Sequence, residues 1–144
     1  MPFVFQAIAI FVDEFYFHEK RGLPKWERLG HPLDSLTTLL CYSFLFFQVP
    51  NISNLKIYIG LCLFSILFIT KDEWVHAKES PATEHWLHAL LFVIHPLTFL
   101  CAGYLWYFRL APMLITGQMF MVFLFMCYQI IRWNLPWEKW QKTK

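Results

Sequence analysis

Acidic and histidine side chains recur in the same order at two places in the chain, and such side chains are common ligands of transition metals. The first copy runs from Asp13 to His31 and the second from Asp72 to His88. Each contains Asp-Glu, then a histidine, a lysine two residues later, a proline, a glutamate three residues after the proline and a final histidine. This repeat predicts two halves of one site.

The spacing within each copy pairs carboxylates with imidazoles, because side chains three or four residues apart share a helix face. Such pairs from four helices build di-metal sites in helical bundles. The predicted ligands are Glu14, His18, Glu27, His31, Glu73, His76, Glu84 and His88. The predicted second-sphere or alternative ligands are Asp13, Asp34, Asp72, His85 and His95. Mixed oxygen and nitrogen ligation favours two metal ions, with iron preferred and zinc or manganese as alternatives.

Two registers of the repeat remain open. His95-Pro96-Leu97 has the same order as His31-Pro32-Leu33, so either His88 or His95 is equivalent to His31. Pro32 is predicted to open its helix with His31 at the cap. The ordinary alternative is that this cluster is a solvated set of charges at the ends of membrane helices.

The composition predicts a membrane protein. Of the 144 residues, 58% are hydrophobic and 15% charged, and the mean hydropathy is +0.43. Soluble domains carry roughly 25% charged residues. The lysines and arginines form no nucleic-acid-binding pattern, and the four cysteines lie singly in apolar runs, as packing residues do. The apolar N-terminus lacks a basic region and a cleavage site, so we expect a retained helix rather than a signal peptide.

The predicted fold is an all-α polytopic bundle of about five transmembrane helices in a single domain, residues 1–144. Three apolar spans are clear, and two shorter runs reach spanning length only if each helix continues through its acidic residues. The clear spans are Ser35–Leu55, Ala89–Phe108 and Leu110–Ile131, and the short runs are Pro2–Val12 and Ile57–Thr70. Two parallel hairpin repeats cover residues 1–50 and 55–108, a fifth helix covers 110–131, and an interfacial tail covers 132–144. Parallel repeats predict a pseudo-two-fold axis along the membrane normal.

The distribution of basic residues predicts the orientation. Five spans place all lysines and arginines except Lys56 and Arg109 on one side, which the positive-inside rule assigns to the cytoplasm. The N-terminus is then outside and the C-terminus cytoplasmic.

The ligand pattern resembles that of the membrane-embedded di-iron proteins, the class of fatty-acid desaturases and hydroxylases. Glu73-Trp-Val-His76 is also similar to the Glu-x-x-His of soluble di-iron carboxylate proteins. The resemblance covers only the two ligand segments and implies a di-iron oxidoreductase. The chain departs from the desaturase pattern, since it has no His-x-x-His-His box and its one His-x-x-His is His85 with His88.

The leading hypothesis is a di-metal oxidoreductase that acts on a membrane lipid or another hydrophobic molecule at the cytoplasmic leaflet. A zinc-dependent hydrolase with Glu84 as general base is the first alternative. A non-enzymatic metal or proton carrier, a haem protein using His31 and His95, and a small subunit of a larger membrane complex are the others. No nucleic acid is expected as a partner, and a homo-oligomer is left open.

The orientation predicts the accessibility of two positions. A cysteine introduced near Gly22, or a reporter fused at the C-terminus, is expected to react from the cytoplasmic side only. Membrane-impermeant thiol labelling of intact cells and of inverted vesicles measures the accessibility of the cysteine, and the activity of the reporter measures that of the C-terminus. Labelling of both positions from outside would contradict the orientation.

Overall fold

The computed structural model describes residues 1–72 and 81–135, and this part of the chain is all helical, without strands. The all-α prediction is confirmed. Helix α1 combines α-helical Pro2–Val12, π-helical Asp13–His18 and α-helical Glu19–Arg21; α2 is Lys25–Phe47, α3 is Ile52–Ile69, α4 is Ala82–Tyr107, and α5 combines Pro112–Gln129 with π-helical Ile130–Asn134. A short 3-10 turn, Thr70–Asp72, follows α3.

Three helices are long and apolar enough to cross a membrane, namely Ile52–Ile69, Ala82–Tyr107 and Pro112–Asn134. Their composition is consistent with a membrane protein. Large apolar side chains are exposed on all five helices, among them Phe11, Leu40, Leu63, Leu100 and Leu124. Extended apolar surface of this kind is rare on soluble monomers and is typical of surfaces that face lipid or a partner.

The predicted span Ser35–Leu55 is wrong at its C-terminal end, because it runs across the turn between α2 and α3. Asn51 caps α3, and its side-chain oxygen accepts the backbone N–H of Asn54 at 2.9 Å. Such an N-cap satisfies a donor that the first helical turn leaves without a partner. Pro50 precedes the cap and has no N–H to continue α2.

The prediction that Pro32 opens its helix is also wrong, because α2 begins two turns earlier, after Pro24. A proline inside a helix leaves the carbonyl four residues before it without its usual donor. Here that carbonyl belongs to Arg28, and the Asn134 side chain donates to it at 2.7 Å. The end of α5 therefore compensates for the proline in α2.

The helices form a closed ring. Helix α1 packs against α4, α4 against α3, α3 against α2 and α2 against α5. The ring closes between α5 and α1, where the rings of Phe15 and Tyr128 are 5.2 Å apart. The start of α2 and of α4 and the end of α1, α3 and α5 lie at one end of the bundle, which we call the polar end.

The apolar core occupies the other half of the bundle. Its buried members come from α2, α3, α4 and α5 and are Cys41, Tyr42, Leu45, Tyr58, Cys62, Phe99, Ala102, Trp106 and Ile115. Two hydrogen bonds fix the helices there: the Tyr58 hydroxyl donates to the Phe99 carbonyl at 2.8 Å, and Trp106 Nε1 donates to the Gln48 carbonyl at 3.1 Å. This core holds α2, α3 and α4 in register below the polar end.

Replacing Gly103 with alanine tests the packing of this core. An added Cβ would lie 2.7 Å from Cε1 of Tyr58, whose ring is buried and anchored by its hydroxyl. Overpacking of this kind typically costs about 1–3 kcal/mol. We expect a lower thermal unfolding temperature in detergent. Gly60→Ala is the matched control, since nothing lies within 4 Å of its added Cβ; equal effects of the two variants would contradict the close approach.

Candidate metal centre

Six of the predicted ligand or second-sphere residues meet at the polar end, and three helices supply them. Asp13 and His18 come from α1, Glu27 and His31 from α2, and Glu84 and His88 from α4. All except His31 are buried, and His31 is partly buried. They divide into two groups of metal-compatible side chains, of which His18 is a member in both.

The first group consists of Asp13, His18, Glu84 and His88. His88 Nε2 lies 2.9 Å from Asp13 Oδ1, and His18 Nε2 lies 3.3 Å from Asp13 Oδ2. His18 Nε2 is also 3.8 Å from Glu84 Oε1. One ligand atom from each residue lies within 4.8 Å of the others. Two ligands at about 2.0–2.2 Å from an ion lie at most about 4.4 Å apart, so small side-chain movements close this group around a metal.

The second group consists of His18, Glu27 and His31. The imidazole rings of His18 and His31 are 4.7 Å apart, centroid to centroid. Glu27 is fully buried beside them. This group has three ligands and shares one of them with the first group, so it is the less complete of the two.

The π-helical turn explains why Asp13 and Glu14 both reach His18. In an α-helix, residues five apart are rotated by about 140° from one another. A π-helix is wound with i→i+5 hydrogen bonds, and such turns occur frequently at functional sites. Here His18 Nε2 approaches Asp13 at 3.3 Å while His18 Nδ1 approaches Glu14 Oε2 at 3.5 Å. The sequence spacing alone predicts only the contact with Glu14.

The environment of His18 fits a metal ligand. Its side chain has no exposed surface, and both ring nitrogens are buried. Within residues 1–72 and 81–135 neither nitrogen makes a hydrogen bond of normal geometry, although three carboxylates lie 3.3–3.8 Å away. Buried polar groups normally have a hydrogen-bond partner. The imidazole of His18 lies beside carboxylates without such a bond. A cation bound between them would give both the imidazole and the carboxylates a partner.

Arg21 lies between the two glutamates that the repeat predicts to be equivalent. Its Nη2 is 2.8 Å from Glu27 Oε2 and 2.8 Å from Glu84 Oε1. Both contacts are charge-assisted hydrogen bonds, because a guanidinium stays protonated in proteins. The guanidinium therefore bridges α2 and α4 as a permanent cation.

Glu14, a predicted ligand, belongs to neither group, and its carboxylate contacts α5 as well as Nδ1 of His18. Its Oε1 accepts from Trp133 Nε1, and its Oε2 accepts from Gln129 Nε2 at 3.4 Å. All three side chains are buried. Asp13, predicted as a second-sphere residue, is the carboxylate of α1 that joins the first group.

His95 lies deeper in the bundle and outside both groups, so His88 is the histidine of α4 that the structure brings to the site. Gln6 and the Nδ1 of His95 are 2.7 Å apart, and Ser65 is 3.5 Å from Nε2. The Ser65 hydroxyl is in turn 2.9 Å from that of Thr37. These side chains come from α1, α4, α3 and α2, so this network ties the four helices together.

Of the remaining predicted residues, those that the structure describes, Asp34 and His85, belong to neither group. Asp34 forms an ion pair with Lys71 at 2.6 Å, between α2 and the turn after α3. His85 is partly buried on α4. Glu73, His76 and the side chain of Asp72 lie outside the described residues.

Sequence reasoning missed three contributors. Arg21 has no counterpart in the second copy, whose Lys78 matches Lys20. Trp133 and Gln129 lie outside both copies. The signal available for them was polarity, because Gln129 and Arg132 interrupt an apolar run near the C-terminal end of α5.

No protein-family model, curated protein or solved structure matches this chain.

Replacing Arg21 with glutamine tests its bridging role. The change leaves Glu27 and Glu84 buried without the guanidinium, and removal of one partner of a buried ion pair typically costs about 3–5 kcal/mol. We expect a large drop in the thermal unfolding temperature in detergent. Lys20→Gln is the matched control, because Lys20 is the exposed neighbour of Arg21 on the same helical turn. A drop no larger than that of the control would contradict the bridge.

Proposed function

We propose that this protein is a metal-dependent membrane oxidoreductase that acts on a lipid or another apolar substrate. The observation that carries the proposal is the buried group of Asp13, His18, Glu84 and His88, with both nitrogens of His18 buried among carboxylates. Two imidazoles and two carboxylates from two helices form a ligand set of the kind that helical di-metal proteins use.

The charge of the first group supports a divalent ion. Its two carboxylates carry two formal negative charges, and buried carboxylates in close proximity repel strongly unless a cation or protons lie between them. A dication balances them without protonating His18 or His88, whose neutral rings are then ligands. Mixed oxygen and nitrogen ligands suit iron, manganese or zinc, and iron is the favoured metal because it supports redox chemistry.

A second ion at His18, Glu27 and His31 would make the site di-metal, as the repeat predicts. Arg21 donates to both oxygens of Glu27, to Oε2 at 2.8 Å and to Oε1 at 3.4 Å, so Glu27 would bind an ion through the more weakly held Oε1 or after Arg21 moves. Glu73 and His76 complete the proposed ligand set, and both lie in the segment that joins the turn after α3 to α4.

The apolar surface supports a membrane setting for the reaction. We propose that α1 and α2 cross the bilayer together with the three apolar helices, since all five share the polar end. The ten basic residues on that side support the proposal that it faces the cytoplasm. A membrane-dissolved substrate would then approach the site from the hydrocarbon.

The side chains of the first group would hold the proposed metal and exclude water from it. A redox-active ion in the first group would supply the activation of dioxygen. Asp13 and His88, 2.9 Å apart, fix one edge of the group, and burial of the ligands keeps bulk water out. Arg21 holds Glu84 in position through the charge-assisted bond at 2.8 Å.

The bond from Arg21 to Glu84 weakens the alternative of a zinc hydrolase. A general base must reach the proton that it accepts in the reaction. Here Oε1 of Glu84 already accepts a hydrogen bond from Arg21 at 2.8 Å, so Glu84 suits a ligand better than a base. Metal analysis of the purified protein separates the two functions, since iron supports the oxidoreductase and zinc alone supports the hydrolase.

Alanine substitutions test the joint site. His88→Ala is expected to lower metal content and thermal stability together, because metal-binding free energy contributes to folding free energy. His31→Ala is expected to lower metal content through the second group. His85→Ala is the control, since His85 has no counterpart in the first copy and belongs to neither group.

The measurement is metal content by elemental analysis, with unfolding temperature, in one detergent. Loss of metal from His88→Ala but not from His31→Ala would indicate one ion in the first group. Full metal in both variants, or a wild-type protein that binds none, would contradict the proposed function.

A further inference from the structure

We propose that Trp133 and Gln129 of α5 position His18 through Glu14, so that Glu14 is a positioning residue rather than a metal ligand. This inference rests on the proposed metal site. It assigns α5, which contributes nothing to either ligand group, to the control of that site.

The contacts of Glu14 are divided between α5 and His18. Its Oε1 accepts from Trp133 Nε1, and its Oε2 lies between Gln129 Nε2 at 3.4 Å and His18 Nδ1 at 3.5 Å. The Glu14 side chain is 2% exposed, so water does not compete for these contacts. Two donors on α5 therefore fix the carboxylate that faces one nitrogen of His18.

Gln129 is itself held in one orientation. The Ser35 hydroxyl donates to Gln129 Oε1 at 2.7 Å, which leaves the amide nitrogen directed toward Glu14. Ser35 belongs to α2, Gln129 to α5 and Glu14 to α1. The position of the carboxylate therefore depends on three helices.

A carboxylate beside Nδ1 selects the tautomer of the imidazole. When Nδ1 carries the proton and faces Glu14, the lone pair is on Nε2. Nε2 is the atom that points into the first group, 3.3 Å from Asp13 and 3.8 Å from Glu84. Metal-binding histidines usually donate their second N–H to a carboxylate or carbonyl, which fixes the ring and raises its basicity. Glu14 occupies the place of that carboxylate.

Cobalt(II) binding tests the inference, because cobalt accepts the same ligands and its visible spectrum reports on their geometry. Metal-free protein in detergent is titrated with cobalt(II), and affinity and spectrum are recorded. We expect Glu14→Gln to weaken binding by about 10–100-fold, the usual effect of losing such a partner. Trp133→Phe is expected to weaken it by about tenfold. Both variants are expected to shift the visible bands.

Trp106→Phe is the matched control, since Trp106 is also a buried tryptophan whose Nε1 donates a hydrogen bond, but to the Gln48 carbonyl in the apolar core, away from both groups. It is expected to leave affinity and spectrum unchanged. Gln129→Met removes the other donor to Glu14 and provides a second variant if Trp133→Phe does not fold.

The outcomes separate this inference from the proposed function. If wild type binds cobalt(II) and Glu14→Gln keeps its affinity and spectrum, the positioning role is overturned while the metal site stands. Complete loss of binding in Glu14→Gln, as in His88→Ala, would make Glu14 a ligand and also overturn it. A fall in stability without a spectral shift would indicate a purely structural contact and overturn it as well. Failure of the wild type to bind cobalt(II) overturns both.

Discussion

The burial of four carboxylates at one end of a small helical bundle is the constraint on which the rest of the structure depends. Asp13, Glu14, Glu27 and Glu84 are all less than a tenth exposed. Burying an ionised carboxylate without partners costs several kcal/mol or more. The guanidinium of Arg21 offsets one of the four formal charges, and the indole of Trp133 donates to a second carboxylate. Imidazoles lie against the others, and a bound dication would complete the balance.

The burial of these carboxylates accompanies irregular winding in two helices. The π-helical turn of α1 brings two consecutive acidic residues to one histidine, at the expense of the more stable α-helical winding. A second π-helical turn, at the end of α5, contains Trp133 and faces the first. The apolar core below holds the other helices in register, so the polar end can contain irregular winding without loss of the fold.

The repeat in the sequence predicts which segments meet, because spacing within a helix determines which side chains share a face. Of its predicted ligands, the structure brings His18, Glu27, His31, Glu84 and His88 to the polar end. It did not predict that Arg21 would lie between the glutamates, because a counter-ion from a non-repeated position leaves no trace in the spacing. It assigned Glu14 rather than Asp13 to the ligands, since helical periodicity assumes α-helical winding where the chain is π-helical.

The five helices differ in how well their composition suits a membrane. Three helices meet the requirement for spanning by length and apolarity, whereas α1 and α2 carry the buried charges and fall short on composition. A hydropathy scale assigns an acidic residue the same value whether its side chain faces lipid or is buried among polar partners. In the proposed function, α1 and α2 cross the bilayer with these carboxylates shielded inside the bundle, and composition does not register such shielding.

The contacts of α5 have a consequence for the order of assembly. Synthesis proceeds from the N-terminus, so α1 to α4 emerge and can associate before α5 does. Until then Glu14 lacks its indole and amide donors, and the Arg28 carbonyl beside Pro32 lacks the Asn134 amide. Without α5, the four earlier helices present these polar groups without the partners that α5 supplies. Docking of α5 both closes the bundle and supplies those partners, so the polar end is complete only when the fold is.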